Sequence, residues 1–239
     1  MATIHKPGDQ AVKRMFDRIA RRYDLLNRII SFRLDSRWRK KTIAAVVRKG
    51  NESVVDIGTG TGDLSFLAAK SLAGSGKIVG IDVSFQMIRI ARRKQHGRQD
   101  PTRTEFIQAS ALTSPFGDAA FDAAMTAFVL RNVSDLRLFF LEAARIIKPG
   151  GRLASLDMFP PRKGLFSCFY SLYFYRLVPL IGTLLADDRS AYRYLSESVR
   201  QFMAPENVAE LMYQCGFEKV TLHRFLFGAV CLHIADKPA

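Results

Sequence analysis

Cysteine is scarce in this chain and follows no pattern. Three of the 239 residues are cysteines, Cys168, Cys215 and Cys231, which lie far apart and never at CxxC spacing. This argues against a disulfide framework and a cysteine metal site, and it is typical of reduced thiols in a cytosolic protein. The first residues, MATIHKPGDQ, contain no apolar run of the kind found in secretory signals. We therefore expect a cytoplasmic protein without a metal.

Acidic residues are few compared with basic ones. The chain has 22 Asp and Glu against 36 Lys and Arg, a net charge of +14. Residues 1–50 hold fourteen Lys and Arg against four Asp, so +10 of this charge lies in an N-terminal element. Such a field attracts an anionic membrane surface or nucleic acid. Because the basic residues follow one helix rather than a groove with interleaved aromatic residues, we expect the membrane and not nucleic acid.

Long apolar runs are rare, and a single segment has the length of a membrane span. Residues 165–185 read LFSCFYSLYFYRLVPLIGTLL. Pro179, Gly182 and the charge of Arg176 oppose spanning, since a charge inside hydrocarbon is costly. A buried or interfacial lid is the favoured interpretation.

From Asn51 onward, short β-branched runs alternate with helical patterns, which is typical of a parallel α/β sheet. The sequence KPGG after a predicted helix Asp135–Ile147 marks the turn into the fifth strand. The two last strands share no long helix and therefore form an antiparallel edge pair, preceded by a helical insertion at about 162–214. The predicted strands are Ser53–Ile57, Lys77–Asp82, Thr104–Gln108, Phe121–Ala127, Arg152–Met158, Phe217–Phe225 and Gly228–Ala235.

One amphipathic helix is predicted before the sheet. Its apolar positions recur at spacings of four and three, and its opposite face is basic. The apolar face either packs over the active edge of the sheet, lies on a membrane, or does each in turn. These apolar positions are Val12, Phe16, Ile19, Tyr23, Leu26 and Ile30.

The stretch VVDIGTGTGDL, residues 54–64, places glycines between a strand and a helix, where backbone N–H groups meet a ligand. Asp63 stands where a dinucleotide loop has its third glycine, and a carboxylate there repels pyrophosphate. It suits S-adenosylmethionine, which carries a sulfonium and no phosphate, although Asp63 could simply cap the helix. Asp82, after the second strand, is expected to bind ribose hydroxyls, as it would in an NAD enzyme.

Further motifs resemble a known family. LRNVSD and IIKPGGRL are similar to class I methyltransferases. Met15–Lys40, AFVLRNV at 127–133 and SAYRYLSESV at 190–199 are similar to the UbiE-type ubiquinone/menaquinone biosynthesis C-methyltransferases, collinearly from about Val12 to His233. The resemblance implies a Rossmann-like class I methyltransferase fold with a seven-stranded, mostly parallel sheet. We predict a single domain comprising a basic lid (1–50), a cofactor-binding core (51–161), an apolar helical insertion (162–214) and the edge pair (215–239).

The resemblance also implies a reaction. A methyl group moves from S-adenosylmethionine, leaving S-adenosylhomocysteine, to a ring carbon of a polyprenyl quinol. The quinol is demethylmenaquinol or 2-polyprenyl-6-methoxy-1,4-benzoquinol, and the sequence leaves this choice open. The predicted cofactor-binding residues are Tyr23, Asp56, Gly58, Thr59, Gly60, Gly62, Asp63, Asp82, Val83, Met87, Ser110, Ala111 and Ala127.

Three polar residues are the catalytic candidates. Arg131 can stabilise a phenolate or orient a water, unless it forms a structural ion pair with the next helix. Asn132 can fix that geometry or hold the cofactor, and Asp157 is a base or a structural carboxylate. For His233 a core position is favoured over a functional one. The predicted substrate-binding residues are Phe128, Phe169, Tyr173, Tyr192 and Tyr194.

Two positions depart from the family pattern, and several alternatives stay open. Val129 replaces a common glycine and would narrow the pocket, while Ser110 stands where an acidic or polar residue near adenine is expected. The alternatives are a methyltransferase for RNA or another small molecule, a non-catalytic binding protein, and an NAD-dependent oxidoreductase. Anionic membrane is the expected partner surface, and a homodimer is one alternative for the oligomeric state.

Overall fold

The computed structural model describes residues 9–73, 76–98, 103–162, 164–178 and 189–239, with a seven-stranded sheet at the centre. The strand order is β3-β2-β1-β4-β5-β7-β6, and β7 runs antiparallel to both neighbours while the other pairs are parallel. The predicted α/β class, mostly parallel sheet and antiparallel edge pair are confirmed. The strands are β1 (Ser53–Ile57), β2 (Lys77–Asp82), β3 (Arg103–Gln108), β4 (Phe121–Ala127), β5 (Ile147–Met158), β6 (Glu218–Phe225) and β7 (Val230–Asp236).

Helices cover both faces of this sheet and its carboxyl edge. A five-residue π-helical turn, Tyr173–Leu177, continues α7, and 3₁₀ turns occupy Leu130–Asn132 and Leu226–Gly228. In the described part of the chain, no helix is long and apolar enough to cross a membrane. The helices are α1 (Asp9–Ile19), α2 (Tyr23–Ile30), α3 (Leu34–Val46), α4 (Asp63–Ala69), α5 (Phe85–His96), α6 (Leu136–Ile146), α7 (Leu165–Leu172), α8 (Arg189–Arg200) and α9 (Pro205–Gln214).

The central strands are apolar along their whole length because both faces of the sheet are covered. Val54 and Val55 of β1 are fully buried, on opposite faces of the sheet. One face packs against α6 through Phe139 and Phe140, and the other packs against α3 through Trp38. The two apolar layers hold the carboxyl ends of β1, β2 and β4 at one edge, where the glycine loop begins.

The prediction of one continuous N-terminal helix is wrong. The chain forms two helices, α1 and α2, separated by a turn in which Arg22 N donates to Ile19 O at 3.0 Å. The turn has three residues, so the apolar spacing continues through it and gave no sign of the break. Met15, Ile19 and Ile30 all pack against the insertion, so the apolar face is buried within the protein.

Strand β5 also begins earlier than predicted, at Ile147 rather than Arg152. The pairing with β4 shifts between Phe121 and Ala123, which accommodates the KPGG residues as an irregularity inside the strand. A Cβ on Gly151 would lie 2.6 Å from the Asp122 carbonyl oxygen. Glycine is therefore required at position 151 by close packing.

Candidate functional site

Two cavities lie at the carboxyl edge of the sheet and meet at Phe128. The glycine-loop cavity is bounded by Gly58, Gly60, Asp82 and the lid residue Tyr23, and it has an acidic extension beside Asp24 and Asp56. The apolar cavity has a volume of about 290 Å³ and lies between α2, α3 and the insertion. Phe128 lines both cavities and has a positive φ of 65°, so a strained residue separates them.

The glycine loop presents its backbone to the first cavity. Gly58 N and Thr59 N donate to the Ile81 carbonyl at 2.8 and 2.9 Å, which joins the loop to β2. Gly60 has a φ of 58°, and a Cβ there would meet only Tyr23, at 3.9 Å. The loop thus leaves room for a ligand directly above Gly60.

Asp82 is held by the same loop. Its Oδ2 accepts from Gly60 N at 2.9 Å and its Oδ1 accepts from Ser84 N at 2.8 Å. Burial raises the pKa of Asp82 to about 6, and the two backbone hydrogen bonds oppose that rise. Each carboxylate oxygen keeps a second lone pair, so the group can accept hydrogen bonds from two neighbouring hydroxyls.

Asp56 fastens the loop to the helix that follows. Its Oδ2 accepts from Thr59 Oγ1 at 2.8 Å and from Ser65 Oγ at 2.6 Å. Burial raises the pKa of Asp56, and the two hydroxyls oppose the rise. Asp56 and Thr59 both border the acidic extension, so these predicted ligand-binding side chains also stabilise the conformation of the loop.

Asp63 repels an anion less than its position in the sequence suggests. Lys94 Nζ lies 2.8 Å from Asp63 Oδ1 and 2.6 Å from Asp24 Oδ2, so one cation is shared by two carboxylates and offsets only part of their charge. Gly62 has a φ of 86°, and a Cβ there would lie 2.8 Å from Phe66 and 2.9 Å from Phe106. Gly62 therefore provides the close helix packing expected of a third glycine, and it lines none of the cavities found in the described residues.

Hydrogen bonds fix the lid over the loop. Asp17 of α1 accepts from Ser84 Oγ at 2.5 Å and from Gln86 N at 3.2 Å, at the start of α5. Thr61 Oγ1 donates to Asp24 of α2 at 2.5 Å. The apolar residues Val12 and Phe16 line the cavity below these contacts, with Tyr23 beside them.

The remaining predicted cofactor residues border the same cavity. The hydroxyl of Ser110 accepts from Leu112 N at 3.1 Å and thereby shapes its own turn. Val129 packs on Gly58, where a Cβ would lie 2.4 Å from Val129 Cγ2. Val83, Met87, Ser110, Ala111 and Ala127 all line the glycine-loop cavity.

Consecutive residues of the 3₁₀ turn after β4 serve different cavities. Asn132 lines the glycine-loop cavity and donates from Nδ2 to the Phe128 carbonyl at 3.2 Å. Arg131 lines the apolar cavity, and its Nη1 lies 2.5 Å from Asp157 Oδ1. The ion partner is thus Asp157 and not a residue of the next helix. Arg131 Nε is buried and has no hydrogen-bond partner.

Aromatic residues of the insertion close the apolar cavity. Tyr173 lines it and donates from its hydroxyl to the Ile30 carbonyl at 2.9 Å, which ties the insertion to the lid. Burial raises the pKa of Tyr170, so this second lining tyrosine stays protonated. Tyr194 borders neither cavity but lies near Arg131 and Asp157, and burial raises its pKa too. The side chains of the predicted Phe169 and Tyr192 lie outside the described part.

His233 is a core residue, as favoured from the sequence. It is fully buried, and its Nε2 lies 2.8 Å from the Pro205 carbonyl oxygen. Burial lowers its pKa, which favours the neutral ring.

Comparison with known proteins assigns the family. A sequence model described as the ubiE/COQ5 methyltransferase family matches residues 4–237. The chain belongs to this family. It is 43% identical to the demethylmenaquinone methyltransferase of Thermus thermophilus, over 94% of this chain and 100% of that protein. It is 35% identical to the ubiquinone/menaquinone biosynthesis C-methyltransferase UbiE of Francisella philomiragia, over 93% and 89%. The predicted family, methyltransferase class and methyl donor are confirmed.

Solved structures share the fold at lower identity. A possible histamine N-methyltransferase from Thermotoga maritima superposes with a TM-score of 0.65 at 18% identity, covering 95% of this chain and 99% of that one. The [4+2]-cyclase SpnF gives the same score and identity over 85% and 80%. Since one of these is named a cyclase, the fold does not decide the reaction.

Several site residues were missed from the sequence. Arg39 borders the acidic extension, and Lys94 forms an ion pair with a carboxylate that lines it. Both residues lie in basic runs, which are typical of solvated helix faces. The i, i+4 spacing of Asp35 and Arg39 beside Trp38 was an available signal for a buried pair.

Proposed function

We propose that this chain transfers the methyl group of S-adenosylmethionine to a ring carbon of a polyprenyl naphthoquinol of the demethylmenaquinol type. The observation that carries the proposal is the pair of cavities meeting at Phe128. One is lined by the glycine loop and Asp82. The other is mostly apolar, with one cationic group, Arg131, and one anionic group, Asp35, among its described lining residues. The relatives named demethylmenaquinone methyltransferase support the naphthoquinol over the benzoquinol.

The residues of the first cavity fit S-adenosylmethionine. Asp82 offers lone pairs to both ribose hydroxyls, and the open backbone at Gly60 admits the chain that carries the sulfonium. A phosphate is disfavoured because three carboxylates, Asp24, Asp56 and Asp82, border this region. The positive groups are fewer, since Lys94 is shared by two carboxylates and Arg39 is the one cation among the described lining residues. When bound, this donor supplies an electrophilic methyl group on sulfur. Phe128, with Asn132 hydrogen-bonded to its carbonyl oxygen, would shape the passage through which the methyl group reaches the quinol.

Arg131 is proposed to act on the quinol. The ring carbon attacks as its neighbouring hydroxyl ionises, and the buried guanidinium stabilises the resulting oxygen charge. Transfer would form the new carbon–carbon bond as the sulfur–methyl bond breaks, and S-adenosylhomocysteine would leave. The ring proton would then move to the quinol oxygen, while the hydroxyl proton released first passes to solvent. Asp157 borders neither cavity, so we assign it the role of positioning Arg131. The apolar lining excludes water from this charge, which strengthens the interaction.

The test is a transfer assay with labelled S-adenosylmethionine. The purified protein is given chemically reduced demethylmenaquinone, a reduced polyprenyl methoxybenzoquinone or RNA, and each acceptor is then extracted and counted. We expect label in the naphthoquinol. Label in the benzoquinol alone would correct the acceptor, and label in neither quinol would overturn the proposal.

We further propose that the mouth of the apolar cavity docks on an anionic membrane, where a polyprenyl substrate resides. Leu25 and Ile29 lie on the outer side of α2, and Phe32 follows three residues later, just beyond the end of that helix, where it is 70% exposed. Phe32 also lines the apolar cavity, and its ring centroid lies 5.4 Å from that of Tyr173. The same N-terminal segment carries exposed basic residues, which suits anionic lipid: Arg21, Arg22, Arg28, Arg33, Arg37 and Lys41.

Liposome co-sedimentation tests this docking. We expect binding to vesicles with anionic lipid, weaker binding at high salt, and little binding to zwitterionic vesicles. Phe32→Ser should reduce binding, whereas Leu141→Ser, which changes an exposed leucine of α6, should not. Equal binding to both vesicle types, or equal binding by both variants, would contradict the proposed surface.

A further inference from the structure

Arg39 is a buried cation with unusually few partners. It lies on α3 with a side chain that is 9% exposed, and its Nε is 3.4 Å from Asp35 Oδ2. That nitrogen makes no hydrogen bond. The Phe128 ring centroid lies 5.3 Å from Arg39 Cζ, which helps to hold the guanidinium plane. Asp35 offsets this charge, but Nε is left without a hydrogen bond, so a ligand that completes the environment of the guanidinium is favoured.

The acidic extension surrounds this guanidinium with groups of opposite charge that are already engaged. Asp56 binds two hydroxyls, and Asp24 and Asp63 bind Lys94. Among the described residues that line the extension, Arg39 is the one cation. The region therefore combines one positive group with several negative ones, an arrangement that matches a zwitterion rather than a simple anion.

We propose that Arg39 binds the α-carboxylate of the methionyl part of S-adenosylmethionine. The guanidinium presents paired N–H donors that match a carboxylate, and the nearby carboxylates and loop carbonyls suit the α-amino group. This inference rests on the proposed function, which places S-adenosylmethionine in the glycine-loop cavity. It assigns a ligand-binding role to a residue that the basic run R-W-R-K would otherwise place on the surface.

The test compares two ligands that differ only in this carboxylate. S-Adenosylhomocysteine and its decarboxylated analogue, 5′-(3-aminopropylthio)-5′-deoxyadenosine, are titrated calorimetrically into the wild type, Arg39→Met and Lys40→Met. Lys40 is the exposed neighbour and serves as the control. In the wild type and the control, we expect the carboxylate to improve affinity roughly 10- to 100-fold, as a charged hydrogen-bonded pair does. In Arg39→Met, the two ligands should bind about equally, with the affinity for the analogue unchanged.

Two outcomes would overturn the inference. One is that Arg39→Met prefers the ligand with the carboxylate as strongly as the wild type does. The other is that Arg39→Met loses the same affinity for both ligands, which indicates a structural role. Should Arg39→Met fail to fold, Arg39→Gln is judged by the same ratio of affinities. Failure of the wild type to bind S-adenosylhomocysteine would refute the proposed methyl donor itself, which separates the two proposals.

Discussion

Arg131 and Asp157 form a buried ion pair across the carboxyl ends of β4 and β5, with Nη1 2.5 Å from Oδ1. Asp157 Oδ1 also accepts from Met158 N at 2.7 Å, so the carboxylate is anchored to its own strand. The guanidinium is thereby fixed against the apolar cavity while its Nε stays without a partner. This arrangement is that of a positioned cation, and it also makes both residues important for stability.

Arg131→Ala should abolish most turnover while leaving the cofactor site intact. Loss of one stabilising group for a developing oxyanion costs about 100-fold or more in kcat. Affinity for S-adenosylhomocysteine should change little because Arg131 does not line the glycine-loop cavity. Single-turnover kinetics and calorimetry measure the two effects. Full activity of the variant would remove Arg131 from the mechanism.

The double variant Arg131→Gln with Asp157→Asn controls for stability. Removing one partner of a buried ion pair lowers the free energy of unfolding by about 3–5 kcal/mol, because the other charge stays buried without a partner. Two neutral amides can hydrogen-bond to each other, so the double variant should recover much of that stability and remain inactive. Recovery of activity together with stability would show that the pair is structural alone.

Cofactor affinity should depend on the ionisation of Asp82. Its pKa of about 6 in the free protein means that the carboxylate is mostly protonated at pH 5 and ionised at pH 7. Because the ionised form accepts from hydroxyls, affinity for S-adenosylhomocysteine should fall about tenfold from pH 7 to pH 5. Calorimetry at several pH values measures the change, and Asp82→Asn should bind weakly with a flatter profile. A wild-type profile as flat as that of the variant would contradict the assignment.

The same group influences the stability of the ligand-free protein. The folded state keeps a proton on Asp82 that an unfolded aspartate, with a pKa of about 3.9, has released. The contribution of Asp82 to the free energy of unfolding therefore decreases as pH rises from about 4 to about 6. Comparing urea denaturation of the wild type and Asp82→Asn across that window isolates this contribution.

Much of the fold could be predicted because it depends on patterns that a sequence displays directly. The alternation of apolar strands with helices located all seven strands to within a few residues, except at the start of β5. There the strand continues through the irregularly paired residues 148–151, where Pro149 and Gly150 form a sequence pattern that is typical of a turn. The break between α1 and α2 was hidden because a three-residue turn preserved the helical spacing.

The site was harder to predict because charges act through partners that are distant in sequence. Asp63 and Lys94 are 31 residues apart in sequence, and their ion pair offsets part of the negative charge that Asp63 was expected to present to a ligand. Asn132 and Arg131 are neighbours in sequence but line different cavities. Sequence motifs predicted residues that line neighbouring cavities at one edge of the sheet, whereas the cavity that each side chain lines could be read only from the packing.

Gly58 and Val129 form a steric pair that a substitution can test. A Cβ on Gly58 would lie 2.4 Å from Val129 Cγ2, and Gly58 has a φ of 74°. Gly58→Ala should therefore destabilise the protein by about 2 kcal/mol or more through overpacking and backbone strain. Adding Val129→Gly should restore part of this loss, because it removes the clash but not the strain. Thermal unfolding measures both, and additive effects of the two substitutions would contradict the contact.

The apolar cavity should discriminate among quinols by the length of their tails. Leu195 of α8 lines it, and Leu195→Trp would fill part of its volume of about 290 Å³. We expect a higher KM for a long-chain quinol and a smaller change for a short-chain one, since only a long tail needs the occupied space. Affinity for S-adenosylhomocysteine should be unaffected because Leu195 does not line the glycine-loop cavity. Leu138→Trp, at a 40% exposed leucine of α6, is the size-matched control. Equal changes of KM for the long-chain and the short-chain quinol would show that the tail does not occupy this cavity.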